Sequence, residues 1–214
     1  MATNLQGPLG EHNGRLGPIV YYKLNGRWVS RTIGRNKNER TPDQRQQQEL
    51  IKICGQFLKH FKEIINVGFS IEALGTDKNQ FNLAMKNNTE NLVKGRYPNM
   101  WIAYDQLVLS KGRLKTPVNP RVVKNPEGLE FTWDTDRKMA WPDANDQAIL
   151  VAYFPKTKQM INSMFGNSRV TGLEVLEIPE TMREEHMETY LFFVSADRKR
   201  VSGSSYTGSI NKID

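Results

Sequence analysis

Cysteine is nearly absent from this 214-residue chain: Cys54 stands alone. One thiol closes no intrachain disulfide and builds no cysteine zinc cluster. It falls on the apolar face of a helical pattern, and free cysteines of that kind are usually buried. Histidine is scarce too. His12, His60 and His186 stand far apart, at no metal-ligand spacing. No apolar stretch approaches the ~20 residues that span a bilayer, and the longest, 148–154, is strand-sized. Residues 1–10 show no basic segment leading into an apolar one, so no secretory signal is read there. The expected location is the cytoplasm or a virion. Hydrophobic residues make up 38% of the chain, below the usual share, so the core should be modest.

Catalytic patterns are missing as well. There is no Gly-x-Ser-x-Gly elbow, and Cys54 has no base near it in sequence. Gly14-x-x-Gly17 lacks the Lys-Ser/Thr and the helix of a phosphate loop, and reads as a pair of strand-entry glycines. Asp134, Asp136, Asp143 and Asp146 cluster near a strand end. Paired acids can serve calcium or glycoside chemistry, but solvated loop acids are commoner, and these are read so. The chain is expected to be no enzyme. It should need no metal, cofactor or small-molecule substrate.

What the chain does have is a lopsided charge. Residues 1–62 hold 11 Lys and Arg against 4 Asp and Glu, while residues 63–214 hold 19 of each. The net charge of +7 therefore belongs to the N-terminal part. Such asymmetry speaks of an acidic partner rather than of fold. The charge surrounds a hairpin signature. Asn25-Gly26 between two β-prone runs predicts a two-residue turn that pairs Leu24 with Arg27, Tyr22 with Val29 and Val20 with Arg31. An isolated two-stranded hairpin is marginal in water, so it needs support.

Arg15, Tyr21, Tyr22, Lys23, Arg27, Trp28, Arg31 and Arg35 are the candidate partner- or nucleic-acid-binding residues. Two uses of them stay open. Arg, Tyr and Trp are enriched at protein interfaces, which favours protein neighbours in a homo- or hetero-oligomeric assembly. Aromatics beside cations also stack the bases of single strands, and a β-ribbon can enter a major groove, so a nucleic-acid-binding module is the alternative. No membrane contact is expected.

Further along, Thr41-Pro42-Asp43-Gln44 opens a helix as a capping box with proline at its first position. Leu50, Cys54, Phe57, Leu58, Phe61, Ile64 and Ile65 follow at helical spacing, and the helix is expected to end near Asn66, with Gly68 close by as a stop. A second helix is expected from a Thr76 cap to residue 94, with Gly95 as its C-cap. From residue 97 the period changes to two. Strands are expected at 101–110, 129–134, 147–154, 170–178, 188–195 and 201–209, separated by turn residues. The fold class expected is α+β, mainly β: an N-terminal β-hairpin and two helices attached to a C-terminal antiparallel immunoglobulin- or fibronectin-like β-sandwich, with Trp133 and Tyr190 in its core. The expected divisions are 1–40, 41–96 and 97–214.

Several strings carry a resemblance. They are Gly14-Arg15-Leu16-Gly17-Pro18-Ile19-Val20, Asn25-Gly26-Arg27-Trp28-Val29-Ser30-Arg31, Thr41-Pro42-Asp43-Gln44 and Ile65-Asn66-Val67-Gly68-Phe69. Gly95-Arg96-Tyr97-Pro98, Leu109-Ser110-Lys111-Gly112, Phe131-Thr132-Trp133 and Val201-Ser202-Gly203-Ser204-Ser205-Tyr206 follow in order. Together the chain resembles a Bacteroidota protein family of about this length with no assigned activity. It departs from that family at Tyr21-Tyr22, where the family has a Gly/Lys-rich strand, and in a glutamine-richer first helix. The resemblance implies an architecture and a non-secreted, phage- or assembly-related setting, and nothing about catalysis; the function expected of the chain is that of a subunit of a larger assembly, such as a virion or tail component.

Overall fold

The computed structural model describes residues 2–4, 13–34, 39–136, 138 and 143–212. The chain is mainly β, with several antiparallel sheets, and divides into two compact units, Met1–Thr41 and Pro42–Asp214.

The first unit is one antiparallel sheet. Strands β1 (Ala2–Asn4), β2 (Gly14–Leu16), β3 (Ile19–Leu24) and β4 (Arg27–Thr32) lie in the order β1-β4-β3-β2. Asn25 and Gly26 both take positive φ, 50° and 80°. That is the geometry of the tight turn whose twist matches the flanking strands. Leu24 faces Arg27, Tyr22 faces Val29 and Val20 faces Arg31, the register that a two-residue turn imposes.

The second unit begins with α1 (Pro42–Leu58), tightens to one 3₁₀ turn at Lys59–Phe61 and continues as α2 (Lys62–Gly68). Short α3 (Ser70–Ala73) and α4 (Gln80–Asn88) follow. The helix expected from Thr76 to residue 94 is therefore shorter. Asn79, not Thr76, caps it, accepting from the Asn82 amide at 2.7 Å. It stops at Asn88, whose side chain donates to the Val108 carbonyl and accepts from the Val108 amide. Residues expected as its last turn instead form a hairpin of β5 (Val93–Arg96) and β6 (Asn99–Ile102). The expected strand 101–110 ends at Ile102 and gives way to a 3₁₀ turn at Tyr104–Gln106.

The remaining strands are β7 (Arg121–Lys124), β8 (Gly128–Thr132), β9 (Gln147–Phe154), β10 (Gln159–Ser163), β11 (Leu173–Glu177), β12 (Met187–Val194) and β13 (Ser205–Ile210). They form a sheet ordered β10-β9-β12-β13 and a second ordered β11-β8-β7.

All eight residues of β12 are buried, as are seven of the eight in β9. A strand buried on both faces reads as a continuous apolar run rather than an alternation. Alternate residues reach different cores. Ile149, Val151, Tyr153, Tyr190, Phe192 and Val194 pack with the helical residues Cys54, Phe57, Leu58, Phe61, Ile64 and Ile65. Ala148, Leu150, Ala152, Phe154, Leu191 and Phe193 pack with Leu129, Phe131, Trp133 and Leu176 from the other sheet side. The order is helices, four-stranded sheet, three-stranded sheet.

Of the expected sandwich, the coarser part is present: a mainly β fold of antiparallel sheets. Two sheets do face one another, but helices cover the far side of one, and residues 41–96 share a core with the strands. Trp133 and Tyr190 are both buried, on opposite sides of the four-stranded sheet. The Tyr190 hydroxyl donates to the Tyr104 carbonyl at 2.8 Å.

The three-layer order has a mutational signature. Phe192 and Phe193 are adjacent in β12 yet belong to different cores. Phe192→Ala and Phe193→Ala should each cost about 3–5 kcal/mol in urea unfolding. A two-layer protein with one wet face would show a large loss for one of them and a small loss for the other.

Candidate interaction surfaces

Cross-strand partners in an antiparallel sheet share a face, so the register sorts the N-terminal candidates. Arg15 pairs with Val20, Val20 with Arg31, Leu24 with Arg27 and Tyr22 with Val29. Arg15, Tyr22, Arg27 and Arg31 therefore occupy one face. Tyr21, Lys23 and Trp28 occupy the other, together with Ile19 and Leu16. The four basic residues are exposed, and the three aromatics are half-buried. On the aromatic face the Lys23 ammonium lies 5.7 Å from the centre of the Trp28 ring. This is cation–π distance. On the arginine face, Arg15 and Arg31 sit on strands two places apart, about 10 Å, and Arg27 is four residues along from Arg31, about 13 Å. Arg15 Nε donates to the Gly17 carbonyl at 2.9 Å. Arg35 lies outside the described residues. The sheet brings together all the other candidates, but on two faces.

The second unit holds features that local sequence patterns did not mark. Asp146, expected as a solvated loop acid, is 1% exposed. Its Oδ2 stands 3.1 Å from Nη2 of Arg169, itself 5% exposed. The Arg169 guanidinium lies 4.0 Å over the Phe193 ring and donates to the Lys115 carbonyl. The Trp133 indole donates to the Arg169 carbonyl at 2.7 Å. One arginine thus ties the loop before β11 to the end of β8, to β12 and to the segment ahead of β7. Both Asp146 carboxylate oxygens and Arg169 Nε lack hydrogen-bond partners among the described residues. Burial pushes the Asp146 carboxyl above its ordinary value, with Arg169 opposing and Asp143 adding to the shift. Burial likewise pulls Arg169 down, opposed by Asp146. Beside them opens a cleft of about 440 Å³ lined by Trp133, Phe193 and Arg169 with Lys115, Asp134 and Asp143. Its rim carries both signs.

A second buried carboxylate is fully satisfied. Glu188 accepts from the Tyr206 hydroxyl at 2.6 Å and from Ser209 at 2.7 Å, and His186 Nε2 stands 2.9 Å from its other oxygen. Burial first, then this carboxylate, pushes the Tyr206 phenol to about 12. No group of three or more His, Cys, Asp or Glu among the described residues is placed to hold a metal ion. No described helix is long and apolar enough to cross a membrane.

The β5–β6 hairpin carries another surface. Val93, Met100 and Ile102 turn inward to the helical core. Lys94 faces Trp101 and Arg96 faces Asn99 across the ladder, all on the outer side. Trp101 is 61% exposed and Tyr97, at the turn, 52%. Gly95 has φ 91°, and a Cβ there would fall 2.6 Å from Cζ3 of Trp101. The missing side chain lets the indole rest against the strand.

The chain belongs to a family of unknown function (DUF6266), whose profile matches residues 13–208. No curated protein and no solved structure matches it.

The Asp146–Arg169 pair generates a pH test. Breaking a buried pair by removing one partner costs about 3–5 kcal/mol, because it strands the other charge. Arg169→Met removes the main influence holding Asp146 down, so its folded pKa rises further above the unfolded one. A raised carboxyl pKa means stability lost as pH climbs from the unfolded value through the folded one. Urea unfolding should therefore show a larger cost for Arg169→Met at pH 8 than at pH 5, partly recovered by adding Asp146→Asn. An equal cost at both pH values would contradict the coupling.

Proposed function

We propose that the protein is a non-enzymatic interaction protein, a subunit of a larger assembly, and that its basic N-terminal sheet docks on a neighbouring subunit. The observation that carries this reading is the sorting of the sheet's side chains. Residues 1–41 hold 7 Lys and Arg against 2 Asp and Glu. The three arginines of β2 and β4 spread over one face, suited to an acidic protein surface. Tyr21, Trp28, Ile19 and Leu16 sit on the other with one cation, Lys23, and that mostly apolar face is suited to burial. Strand β2 is an edge, and all three of its residues are exposed. An exposed edge is also a place where a neighbour's strand can add.

The competing use of this sheet is nucleic-acid binding. Stacking platforms combine successive aromatics with cations on one surface. Here two of the three aromatics lie opposite the three arginines, which favours protein over single strands at this site.

Sedimentation velocity on the full chain separates the two. Oligomers should persist at about 1 M salt, where the Debye length is about 3 Å. The double variant Tyr21→Ala/Trp28→Ala should dissociate them at any salt. Arg15→Glu/Arg27→Glu/Arg31→Glu should slow assembly and weaken its specificity. A monomer under all conditions that binds DNA or RNA with a steep salt slope at the three arginines would overturn the reading.

A further inference from the structure

We propose that the outer face of the β5–β6 hairpin is a base-stacking site for single-stranded nucleic acid. This site is separate from the N-terminal sheet and does not depend on the assembly reading. Its argument begins with two large aromatics left in water. Scattered single apolar residues are ordinary at a surface, but Trp101 and Tyr97 lie on one short hairpin and are more than half exposed. The six-membered ring of the indole rests against Gly95, in space that any Cβ would fill, and leaves its outer side open to a base.

The polar residues around these rings match a nucleic-acid strand. Lys94 and Arg96 share the outer side with Trp101, and neither forms an ion pair among the described residues. Aromatic faces beside unpaired cations are the combination that holds bases and phosphates together. A groove of about 550 Å³ runs from Arg96 and Tyr97 to Pro42, Asp43, Gln46 and Gln47 at the start of α1. Glutamine amides can donate to and accept from base edges. The groove's carboxylate, Asp43, lies in the first turn of α1, where the helix dipole favours a negative charge. These glutamines have no part in the core, which gives the polar opening of α1 a use.

The test is fluorescence anisotropy with labelled oligo(dT) and oligo(rU) of about a dozen nucleotides, added to the full-length protein at low and moderate salt. Binding should be salt-sensitive and should quench tryptophan fluorescence. Trp101→Ala should weaken it about ten- to a hundredfold without changing the melting temperature. Lys94→Glu and Arg96→Glu should each lower the log–log salt slope by about 0.7. Phe165→Ala, an exposed aromatic elsewhere, should bind as wild type. Three results would overturn the proposal: no binding at low salt, equal binding by Trp101→Ala, or loss of binding confined to Arg15→Glu/Arg27→Glu/Arg31→Glu. Loss of self-association in Trp101→Ala, with no oligonucleotide bound by wild type, would instead make this face a protein contact.

Discussion

Burial of both faces of β9 and β12 is the constraint on which the second unit rests. The two strands pair from Glu188 with Tyr153 to Val194 with Gln147. Their residues feed two cores in turn, one against the helices and one against the three-stranded sheet. Neither core stands without the pair between them. Phe61 packs its ring against those of Tyr153, tilted, and Tyr190, edge-on, on the helical side, while Trp133 and Phe193 meet edge-on on the other. Polar atoms that the arrangement buries are mostly answered: Tyr190 finds the Tyr104 carbonyl, and Glu188 finds Tyr206 and Ser209. Among the described residues, one oxygen each of Glu72 and Glu185, both carboxylate oxygens of Asp146 and Nε of Arg169 are left without hydrogen-bond partners; the desolvation of the Asp146–Arg169 pair must be offset by its own attraction.

That body positions the surfaces that face outward. With Val93, Met100 and Ile102 packed on the helical core, the β5–β6 hairpin shows Arg96 and Trp101 to water, with Lys94 half-buried beside them. The charge that sets the chain apart lies elsewhere, in a sheet that forms its own compact unit.

Much of this was legible because the signals were local. Asn25-Gly26 dictates its own register, Pro42 marks the start of α1, and the apolar run of β9 has its observed bounds. What escaped depends on contacts distant in sequence. Asn88 ends α4 by bonding Val108, twenty residues on, so the helical pattern ran too far. Val93–Arg96 contains glycine and two cations, a poor strand by propensity, and pairs because Val93 finds the helical core. The run in β12 reads as half of a sandwich, since periodicity cannot reveal what covers the second face of a strand. Asp146 and Arg169 lie far apart in the chain, and neither stands in a pattern that marks it as buried. Of the candidate site, the residues of the hairpin and their pairing were legible. The aromatic–basic face around Trp101 was not, because it required β5 to be a strand.

Native-state hydrogen exchange tests the central claim most directly. Cooperative units exchange together at their own opening free energy. If β9 and β12 are the shared wall of two cores, their amides should exchange at the global unfolding free energy. Amides of α1 and α2 around Cys54 to Ile65 should exchange at the same value, within about 1 kcal/mol, and so should those of β8. Helices that open several kcal/mol below β12 would show an appended layer on an independent sandwich, and would contradict the account.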